Sequence, residues 1–553
     1  MTDKLKIALA QINPTVGDIA GNADLVRTAR REAAGLGADL VAFGELVLCG
    51  YPPEDLVLKG AFQEAVADAV GSLAADTADG GPGLLLTAPW RDGDKLHNAV
   101  LLLDGGEVAA VRYKHDLPNY GVFDEKRVFA PGPLPGPMNF RGVRLGVPIC
   151  EDIWTPDVCE CLVETGAEII IVPNGSPFED GKFDVRLNHA VARVTETELP
   201  LIYINQVGGQ DELVFDGGSF VLNGDCALAL QMPTFENGLV ISDWKLVDDR
   251  WVCDVGERHA PHDGLGAIYR TMTLGLRDYV NKNRFPGVVL GLSGGIDSAL
   301  SAAVAVDALG PERVWCIMLP SKYSSDHSLK DAVDCAELLG CRLDNVAIEP
   351  AVTAYEAMLE GLFEGQDPDT TEENIQSRAR GMTLMAVSNK FGHMVLTTGN
   401  KSEMSVGYAT IYGDMCGGFS VLKDVYKITA FELSHWRNQQ RPEIALGPEG
   451  RVIPENTITK PPSAELRPDQ KDEDSLPPYE ALDDILRCLV EEEMAFDDIL
   501  ARGHEFETVR RIEHLLYLAE YKRRQAPPGV KITARNFGRD RRYPITNGFR
   551  NAR

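Results

Sequence analysis

Three observations predict an α/β protein with two domains. The chain has 553 residues, and since a domain commonly spans about 100–200 residues, two domains fit this length well. Short apolar runs typical of buried strands alternate with helix-like runs of about 10–15 residues in both halves, which is the pattern of α/β architecture. A glycine-rich turn at 291–298 joins one such strand to a helix of small residues.

The first half opens with a predicted strand at 6–10, a helix over about 22–36 and a buried strand at 39–43. Two further apolar runs, at 168–173 and 201–205, predict more buried strands. The repeated pairing of strands with helices is what a layered α/β domain requires.

The middle of the chain marks the end of the first predicted domain. Residues 215–255 carry closely spaced turn signals between short apolar runs, a pattern typical of β-hairpins. Residues 256–264 are polar and turn-rich, and a helical pattern restarts at Ile268. The expected divisions are therefore a domain at 1–255, a linker at 256–265 and a domain at 266–553.

Composition excludes several classes of protein. Hydrophobic residues make up 44% and charged residues 25% of the chain, unlike a disordered, collagen-like or coiled-coil protein. The net charge of −29 opposes binding to nucleic acid or to an anionic membrane. No apolar run approaches the roughly 18 residues of a membrane-spanning helix, and the first residues show no signal peptide. The 11 cysteines follow no zinc or disulfide spacing, so we expect a cytoplasmic protein with reduced thiols.

The most specific motif is GLSGGIDS at 291–298, which follows an apolar strand at 288–292. Glycines allow backbone N–H groups to approach an anion, the start of the helix adds its dipole, and serine hydroxyls donate hydrogen bonds. The loop lacks the lysine of a Walker A motif and carries Asp297, a residue suited to binding Mg²⁺ beside phosphates. The motif predicts a phosphate-binding loop assisted by Mg²⁺.

The pattern SGGxDS is that of the PP-loop ATP pyrophosphatases, which the second half resembles. Three more segments, EENIQSRARGM at 372–382, LTTGNKSEMSVGYATIYGDMCGGF at 396–419 and EYKRRQ at 520–525, resemble the NAD synthetases, and the likeness extends over 265–553. The resemblance implies a Rossmann-like, doubly wound parallel sheet. It also implies cleavage of ATP to AMP and pyrophosphate by adenylation of an oxygen of the acceptor.

Site residues follow from that resemblance. ATP would be bound by the loop residues and three others: Gly291, Leu292, Ser293, Gly294, Gly295, Ile296, Asp297, Ser298, Thr398, Lys427 and Ser463. Asp297 and Glu403 would bind Mg²⁺. The dinucleotide substrate, deamido-NAD⁺, would be bound by Asn374, Arg378, Glu403 and Lys522.

Three segments of the first half place a glutamate, a lysine and a cysteine beside apolar runs. Glu45 lies in FGELVLCGYPPED, Lys114 in YKHDLPNYGVFDEKRVF and Cys150 in GVPICEDIW. A carboxylate can take the proton of a thiol, and a cation can lower the thiol pKa and stabilise a tetrahedral oxyanion. Together these residue types predict a thiol nucleophile with its base and its oxyanion partner.

The same segments resemble the nitrilase superfamily, in its glutamine amidotransferase branch, over residues 1–255. The resemblance implies an αββα sandwich that hydrolyses glutamine. It makes Glu45 the general base, Lys114 the oxyanion stabiliser and Cys150 the nucleophile, with Glu125 as a supporting glutamate. A glutamine pocket is implied at Tyr120, Ser176 and Lys182.

The two halves together imply amidation of deamido-NAD⁺ with nitrogen from glutamine. The first half would release ammonia, the second would adenylate the carboxylate, and attack of ammonia would give NAD⁺, AMP and pyrophosphate. A reactive adenylate and free ammonia both suffer in water, so a closed site and an internal ammonia passage are expected. The resemblance also implies a homo-oligomer with a dimer core.

Two other functions stay open at this point. One is another glutamine-dependent PP-loop amidotransferase that acts on a different carboxylate or on a tRNA base, although the net charge of −29 argues against tRNA. The other is a non-catalytic nucleotide-binding regulator. The complete set of Glu45, Lys114, Cys150, Asp297 and Glu403 argues against the regulator.

Overall fold

The computed structural model describes residues 3–468 and 470–548. The chain divides into two compact units, Met1–Asp263 and Gly264–Arg553. No helix in these described ranges is long and apolar enough to cross a bilayer.

The described residues of the first unit form three β-sheets and four α-helices. Its strands are β1 Lys4–Gln11, β2 Leu40–Phe43, β3 Gly83–Asp92, β4 Lys95–Asp104, β5 Glu107–Tyr113, β6 Met138–Phe140, β7 Val143–Gly146, β8 Ile169–Asn174, β9 Leu201–Asn205, β10 Val207–Gln210, β11 Leu213–Asp216, β12 Phe220–Leu222, β13 Leu228–Gln231, β14 Gly238–Val247 and β15 Arg250–Cys253. Its helices are α1 Ile19–Gly35, α2 Gly60–Asp76, α3 Asp157–Glu164 and α4 Lys182–Thr197.

The two larger sheets pack face to face between helices, and β10 and β11 form a separate two-stranded sheet. One larger sheet has the strand order β15-β14-β1-β2-β3-β4-β5, and the other has the order β13-β12-β9-β8-β7-β6. Alternation along β1 shows the layering, because Ile7 and Leu9 lie in the core between the sheets, whereas Ala8 and Ala10 face the core shared with α1 and α2. Helix α4 covers the outer face of the second sheet through Val194. The predicted αββα sandwich is confirmed.

Helix α1 begins earlier than the sequence pattern predicts. The expected start was about residue 22, but Asp18 caps the helix by accepting a hydrogen bond from the Gly21 N–H, and the helix starts at Ile19. A cap of this kind satisfies a free N–H of the first turn. Apolar periodicity does not reveal this first turn, because the turn carries few buried residues.

The second unit is built on one parallel sheet. Its strands are β16 Val288–Gly291, β17 Val314–Met318, β18 Arg342–Asn345, β19 Met394–Thr397 and β20 Phe419–Ser420. Its helices are α5 Gly264–Lys282, α6 Ile296–Leu309, α7 Asp326–Leu339, α8 Glu349–Leu359, α9 Thr370–Phe391, α10 Lys401–Val406, α11 Lys427–Gln439, α12 Glu455–Thr459, α13 Tyr479–Val490, α14 Phe496–Ala501, α15 Phe506–Leu518 and α16 Glu520–Arg523.

The strand order β18-β17-β16-β19-β20 positions the phosphate loop. The chain moves from β16 outward to β18 and then returns to the other side of β16, so the order reverses between β16 and β19. In doubly wound sheets, ligands bind outside the carboxyl ends of the strands at this switch point. GLSGGIDS follows β16 and the segment containing Thr398 follows β19, so both lie at this edge. The predicted doubly wound fold is confirmed.

Candidate active sites

Cys150 sits at a sharp turn after β7. It opens a single 3₁₀ turn, Cys150–Ile153, and its φ of 46° lies in the left-handed region. Non-glycine residues seldom adopt this conformation, and they keep it only where the surrounding structure holds it. Cys150 is buried, with 6% of its surface exposed. The nucleophile predicted from the sequence therefore lies on a constrained, buried turn.

Lys114 lies between two carboxylates in the interior of the first unit. Its Nζ is 2.6 Å from Glu45 Oε1 and 2.8 Å from Glu125 Oε1, and the lysine is fully buried. Lys114 directly follows β5 and Glu45 lies just after β2, so the ends of two strands of one sheet bring them together. We call Lys114, Glu45 and Glu125 the Lys114 centre.

Further side chains and one backbone N–H hold the two carboxylates of the Lys114 centre. Asn98 Nδ2 donates to Glu45 Oε1 at 2.7 Å and to Glu125 Oε2 at 3.3 Å. The Tyr51 hydroxyl donates to Glu125 at 2.8 Å, and the Gly175 N–H donates to Glu45 Oε2 at 3.0 Å. The sequence analysis missed these partners. A polar residue inside the apolar run of β4 was the one signal that could have identified Asn98.

Burial and neighbouring charges together set the protonation states around Cys150. Burial and the nearby Glu45 carboxylate raise the pKa of the Cys150 thiol well above its ordinary value, with Lys114 opposing them. Burial disfavours the Lys114 ammonium, but Glu125 and Glu45 outweigh it and raise the Lys114 pKa. Burial also raises the pKa of Glu125 to about 7 against the pull of Lys114. The resting site thus holds a neutral thiol beside a charged lysine, so attack by sulfur requires a base.

Tyr120, one of the predicted glutamine-binding residues, reaches a carboxylate next to the nucleophile. Its hydroxyl donates to Glu151 Oε1 at 3.0 Å, and the tyrosine is 49% exposed. Burial raises the pKa of Glu151, and the Tyr120 hydrogen bond and the positive charges of Lys114 and Lys182 oppose this rise. The Lys182 ammonium also lies 5.7 Å from the Phe123 ring centroid. Glu151 was not among the predicted site residues.

Ser176 lies beside a buried ion pair between helix α4 and strand β11. Its Oγ accepts a hydrogen bond from Arg186 Nε at 3.0 Å, and Arg186 Nη1 binds Asp216 Oδ1 at 2.8 Å. The Asn205 amide oxygen accepts from the Ser176 N–H at 3.0 Å. Because every partner is buried, this serine is held in one position.

The GLSGGIDS loop has the conformation of an anion cradle. Gly294 has φ +82°, and a side chain there would place its Cβ 2.1 Å from the Ser328 carbonyl oxygen, so glycine is required. The Gly295 N–H donates to Ser293 Oγ at 3.2 Å, and the hydroxyls of Ser293 and Ser298 are 3.1 Å apart. The loop leads directly into α6, whose N-terminus favours a bound anion.

Lys427 lies between the two residues predicted to bind Mg²⁺. Its Nζ is 2.5 Å from Asp297 Oδ2 and 3.2 Å from Glu403 Oε1, and the lysine is 2% exposed. We call Lys427, Asp297 and Glu403 the Lys427 centre. Burial raises the pKa of Glu403 to about 8, with Lys427 opposing the shift and Asp297 adding to it.

Asn400 connects the Asp297 carboxylate to the backbone of Glu403. Its Nδ2 donates to Asp297 Oδ1 at 2.9 Å, and its Oδ1 caps α10 by accepting from the Glu403 N–H at 2.9 Å. A third carboxylate, Asp472, also acts to raise the Glu403 pKa and accepts a hydrogen bond from the Tyr479 hydroxyl at 2.8 Å. The sequence analysis did not identify Asn400 or Asp472.

The carboxylates of Asp297 and Glu403 supply the oxygen ligands that Mg²⁺ prefers, and they already lie around one cation, the Lys427 ammonium. Mg²⁺ is usually bound by one or two protein carboxylates together with substrate phosphates. Among the described residues, no group of three or more His, Cys, Asp or Glu side chains is arranged as an all-protein metal site. The two carboxylates of the Lys427 centre, beside the GLSGGIDS loop, fit an ion that phosphate oxygens would complete.

Three residues predicted to bind deamido-NAD⁺ contact one segment, 407–414. Asn374 Oδ1 accepts from the Thr410 hydroxyl at 2.8 Å, and Arg378 Nε donates to the Ile411 carbonyl at 3.3 Å. Lys522 Nζ donates to the carbonyls of Gly407 and Ala409, both at 2.7 Å. The structure thus brings these residues to one surface around 407–414.

Thr398 and Ser463 are placed differently from each other. Thr398 follows β19 at the loop edge of the sheet. Ser463 is exposed in the segment between α12 and α13, where its hydroxyl donates to the Gln470 carbonyl at 2.5 Å. Its role at the nucleotide stays a prediction.

Comparisons with known proteins agree with the two halves. Residues 6–248 match the carbon-nitrogen hydrolase family, and residues 268–526 match the NAD synthase family. A glutamine-dependent NAD(+) synthetase from Rhodobacter capsulatus is 52% identical over 100% of both chains. One from Acinetobacter baylyi is 44% identical over 99% of both chains.

A solved structure adds a three-dimensional match. It is a glutamine-dependent NAD⁺ synthetase from Acinetobacter baumannii in complex with ADP, which is 41% identical, covers 99% of both chains and has a TM-score of 0.79. The geometry of both sites and the full-length likeness lead to one assignment: the chain belongs to the family of glutamine-dependent NAD⁺ synthetases.

Proposed function

We propose that this chain makes NAD⁺ by amidating deamido-NAD⁺ with nitrogen from glutamine, at the expense of ATP. The observation that carries the proposal is the presence, in one chain, of a buried thiol beside the Lys114 centre and a phosphate loop beside the Lys427 centre. Neither site alone specifies the reaction, because one supplies ammonia and the other an activated acceptor.

Glutamine hydrolysis begins with proton transfer from the Cys150 thiol to the Glu45 carboxylate. The sulfur attacks the side-chain amide carbon of glutamine, and the negative charge that develops on oxygen is stabilised by Lys114. Glu45 returns the proton to the nitrogen, the C–N bond breaks, and ammonia leaves behind a thioester. Water, deprotonated by Glu45, then releases glutamate and the thiol.

Glutamine is held by groups around the thiol. Tyr120 and Lys182, near Glu151, present polar and charged groups that suit the α-amino and α-carboxylate groups of an amino acid. Ser176, fixed by Arg186, supplies a further polar contact. Glu125 keeps Lys114 charged and in place from the side opposite Glu45.

In the second unit, the GLSGGIDS loop binds the phosphates of ATP through its N–H groups and the hydroxyls of Ser293 and Ser298, with Thr398, Lys427 and Ser463 as further contacts. Asp297 and Glu403 would hold Mg²⁺, which supplies positive charge beside the leaving pyrophosphate. Asn374, Arg378, Glu403 and Lys522 orient deamido-NAD⁺. Its carboxylate oxygen attacks the α-phosphorus and pyrophosphate leaves; ammonia then displaces AMP from the acyl carbon.

The glutaminase is assigned to residues 1–255 and the synthetase to residues 266–553, with 256–265 as the linker. All 11 cysteines are unpaired, which supports a reducing compartment and hence the cytoplasm. Likeness to the family supports a homo-oligomer with a dimer core. The acidic net charge of −29 supports small-molecule substrates rather than nucleic acid or membrane.

The test is a paired assay of purified enzyme with ATP, Mg²⁺ and deamido-NAD⁺, supplied with either glutamine or ammonium. With each nitrogen source, we expect NAD⁺, AMP and pyrophosphate to form in equimolar amounts. Product from neither source would overturn the proposal and favour another acceptor carboxylate or a nucleotide-binding regulator.

A further inference from the structure

A buried carboxylate beside the nucleophile has no part in the chemistry above. Asp152 is 1% exposed and lies two residues after Cys150. Its Oδ1 accepts hydrogen bonds from the N–H groups of His115 at 3.0 Å and Asp116 at 2.7 Å. Its Oδ2 accepts from the Ile149 N–H at 2.9 Å. One side chain thus binds two segments that are far apart in sequence.

The three N–H groups flank the catalytic residues. His115 directly follows Lys114, and Ile149 directly precedes Cys150. The Asp152 N–H also donates to the Ile149 carbonyl at 3.1 Å, which closes the turn that holds Cys150 at φ 46°. A left-handed backbone at a non-glycine residue persists only where neighbouring contacts enforce it. Asp152 makes two of the hydrogen bonds that hold this turn, one through its side-chain Oδ2 and one through its backbone N–H.

The hydrogen bonds of Asp152 also argue against a role as acid or base. Both oxygens are occupied by backbone N–H donors, and among the described residues neither oxygen is hydrogen-bonded to the Cys150 thiol or the Lys114 ammonium. Burial raises the pKa of this carboxyl to about 6, while the backbone N–H groups of Asp116 and Ile149 lower it and so favour the charged form. The Asp152 carboxylate is therefore suited to holding two backbone segments in place, and not to proton transfer.

We propose that Asp152 is a positioning residue, which fixes the Lys114 segment and the Cys150 turn relative to each other and thereby sets the rate of glutamine hydrolysis. The inference rests on the proposed glutaminase function. Because Tyr120, Ser176 and Lys182 lie outside this network, loss of Asp152 should slow the chemical step more than it weakens glutamine binding.

The test compares Asp152→Asn with Asp116→Asn in the full-length enzyme. Asparagine has the shape of aspartate but one acceptor oxygen, so at least one of the three N–H groups loses its partner. Asp116 is a matched control, because within the described part of the chain its side chain accepts a hydrogen bond only from the Thr155 hydroxyl, at 3.1 Å. Both variants remove one negative charge from the same region.

The readouts are kcat and KM for glutamine and the rate of Cys150 alkylation by iodoacetamide. We expect Asp152→Asn to lower kcat by about 10- to 100-fold, as misplaced catalytic groups do. The KM for glutamine should change little. The rate of Cys150 alkylation should differ from that of the wild type, and ammonia-dependent synthesis should persist. Asp116→Asn should match the wild type.

Three results would overturn the inference. Wild-type kcat and alkylation in Asp152→Asn would show that the network is dispensable. Equal losses in Asp116→Asn would show that charge, not position, matters. If Asp152→Asn fails to fold, Asp152→Glu keeps the carboxylate but displaces it by one methylene, and wild-type kcat in that variant would be equally contrary. A wild-type enzyme that cannot hydrolyse glutamine would instead defeat the proposed function, whereas the alkylation rates would still test the positioning role.

Discussion

Each unit contains a buried lysine between two carboxylates, and the two centres are built for different chemistry. In the Lys114 centre the lysine is 2.6 and 2.8 Å from its partners; in the Lys427 centre the distances are 2.5 and 3.2 Å. Burying such a group without partners would be costly, so both lysines depend on their carboxylates. The ion pairs alone therefore do not specify the reaction.

The neighbours of each centre make the difference. The Lys114 centre has a thiol beside it and two carboxylates fixed by Asn98, so the lysine can act as a stationary cation for an oxyanion. The Lys427 centre lies at the glycine loop and has a third carboxylate, Asp472, near it. Its carboxylates lie beside the loop where the phosphates of a nucleotide would bind, which suits a site that receives a divalent cation with phosphates. The groups around each lysine, rather than the ion pairs themselves, therefore determine what each centre does.

The largest effect is expected at Asp297. Asp297→Asn should stop NAD⁺ formation from both nitrogen sources, because it removes half of the carboxylate pair that would hold Mg²⁺, while Cys150 should still react with a glutamine analogue. Asparagine caps a helix about as well as aspartate, so a mere capping role would make the change nearly silent. ATP–pyrophosphate exchange across a Mg²⁺ titration decides between them: near-normal exchange with unchanged Mg²⁺ dependence contradicts the metal-ligand role.

Lys114→Met should affect only the first centre. One oxyanion donor is worth about 3–4 kcal/mol, so glutamine turnover should fall by about 10²- to 10³-fold, while ammonia-dependent synthesis persists. Steady-state glutaminase kinetics and glutamine binding are to be measured side by side. Unchanged turnover would remove Lys114 from the site, and equal loss of the ammonia-dependent reaction would erase the distinction between the centres.

The smallest effect concerns pH. Burial raises the pKa of Glu125 to about 7 and that of Glu403 to about 8, from an ordinary value of 4.5. Below pH 4.5 both glutamates are protonated in the folded and in the unfolded chain. Above pH 4.5 the unfolded chain releases these protons, whereas the folded chain keeps them. Stability should therefore fall as pH rises, by at most about 1.4 kcal/mol per unit for each group, until about pH 7 and pH 8 respectively.

Hydrogen exchange of peptides from β5 and β19, corrected for intrinsic exchange rates, measures the pH dependence of local stability near Glu125 and near Glu403 separately. Glu125→Gln should flatten the pH dependence in β5 alone, and Glu403→Gln should flatten it in β19 alone. The same slope in both variants and in the wild type would show that neither glutamate has a raised pKa.

Sequence patterns predicted the α/β class because apolar periodicity records which faces are buried, whereas the αββα sandwich and the doubly wound sheet were implied by family resemblance. Strand β9 begins and ends where its apolar run does, at Leu201–Asn205. The convergence of Glu45 and Lys114, 69 residues apart, came instead from a family resemblance, since no local pattern encodes it.

The supporting residues could not be predicted for a physical reason. Asn98 reaches the Lys114 centre because the pairing of β4 with β5 sets its register, and the Lys114 N–H donates to its carbonyl at 2.8 Å. Asn400 gains its partner only when the ends of β16 and β19 meet. Lys427 was expected to contact ATP, and only the folded chain reveals that its ammonium lies between Asp297 and Glu403.

The most direct test of two separate centres is the Cys150→Ala enzyme, assayed for NAD⁺ formation with glutamine and with ammonium. The substitution removes one sulfur atom from a buried turn and leaves the Lys427 centre unchanged. We predict complete loss of glutamine-dependent synthesis with wild-type synthesis from ammonium. Loss of both activities in a folded protein would contradict the division of labour.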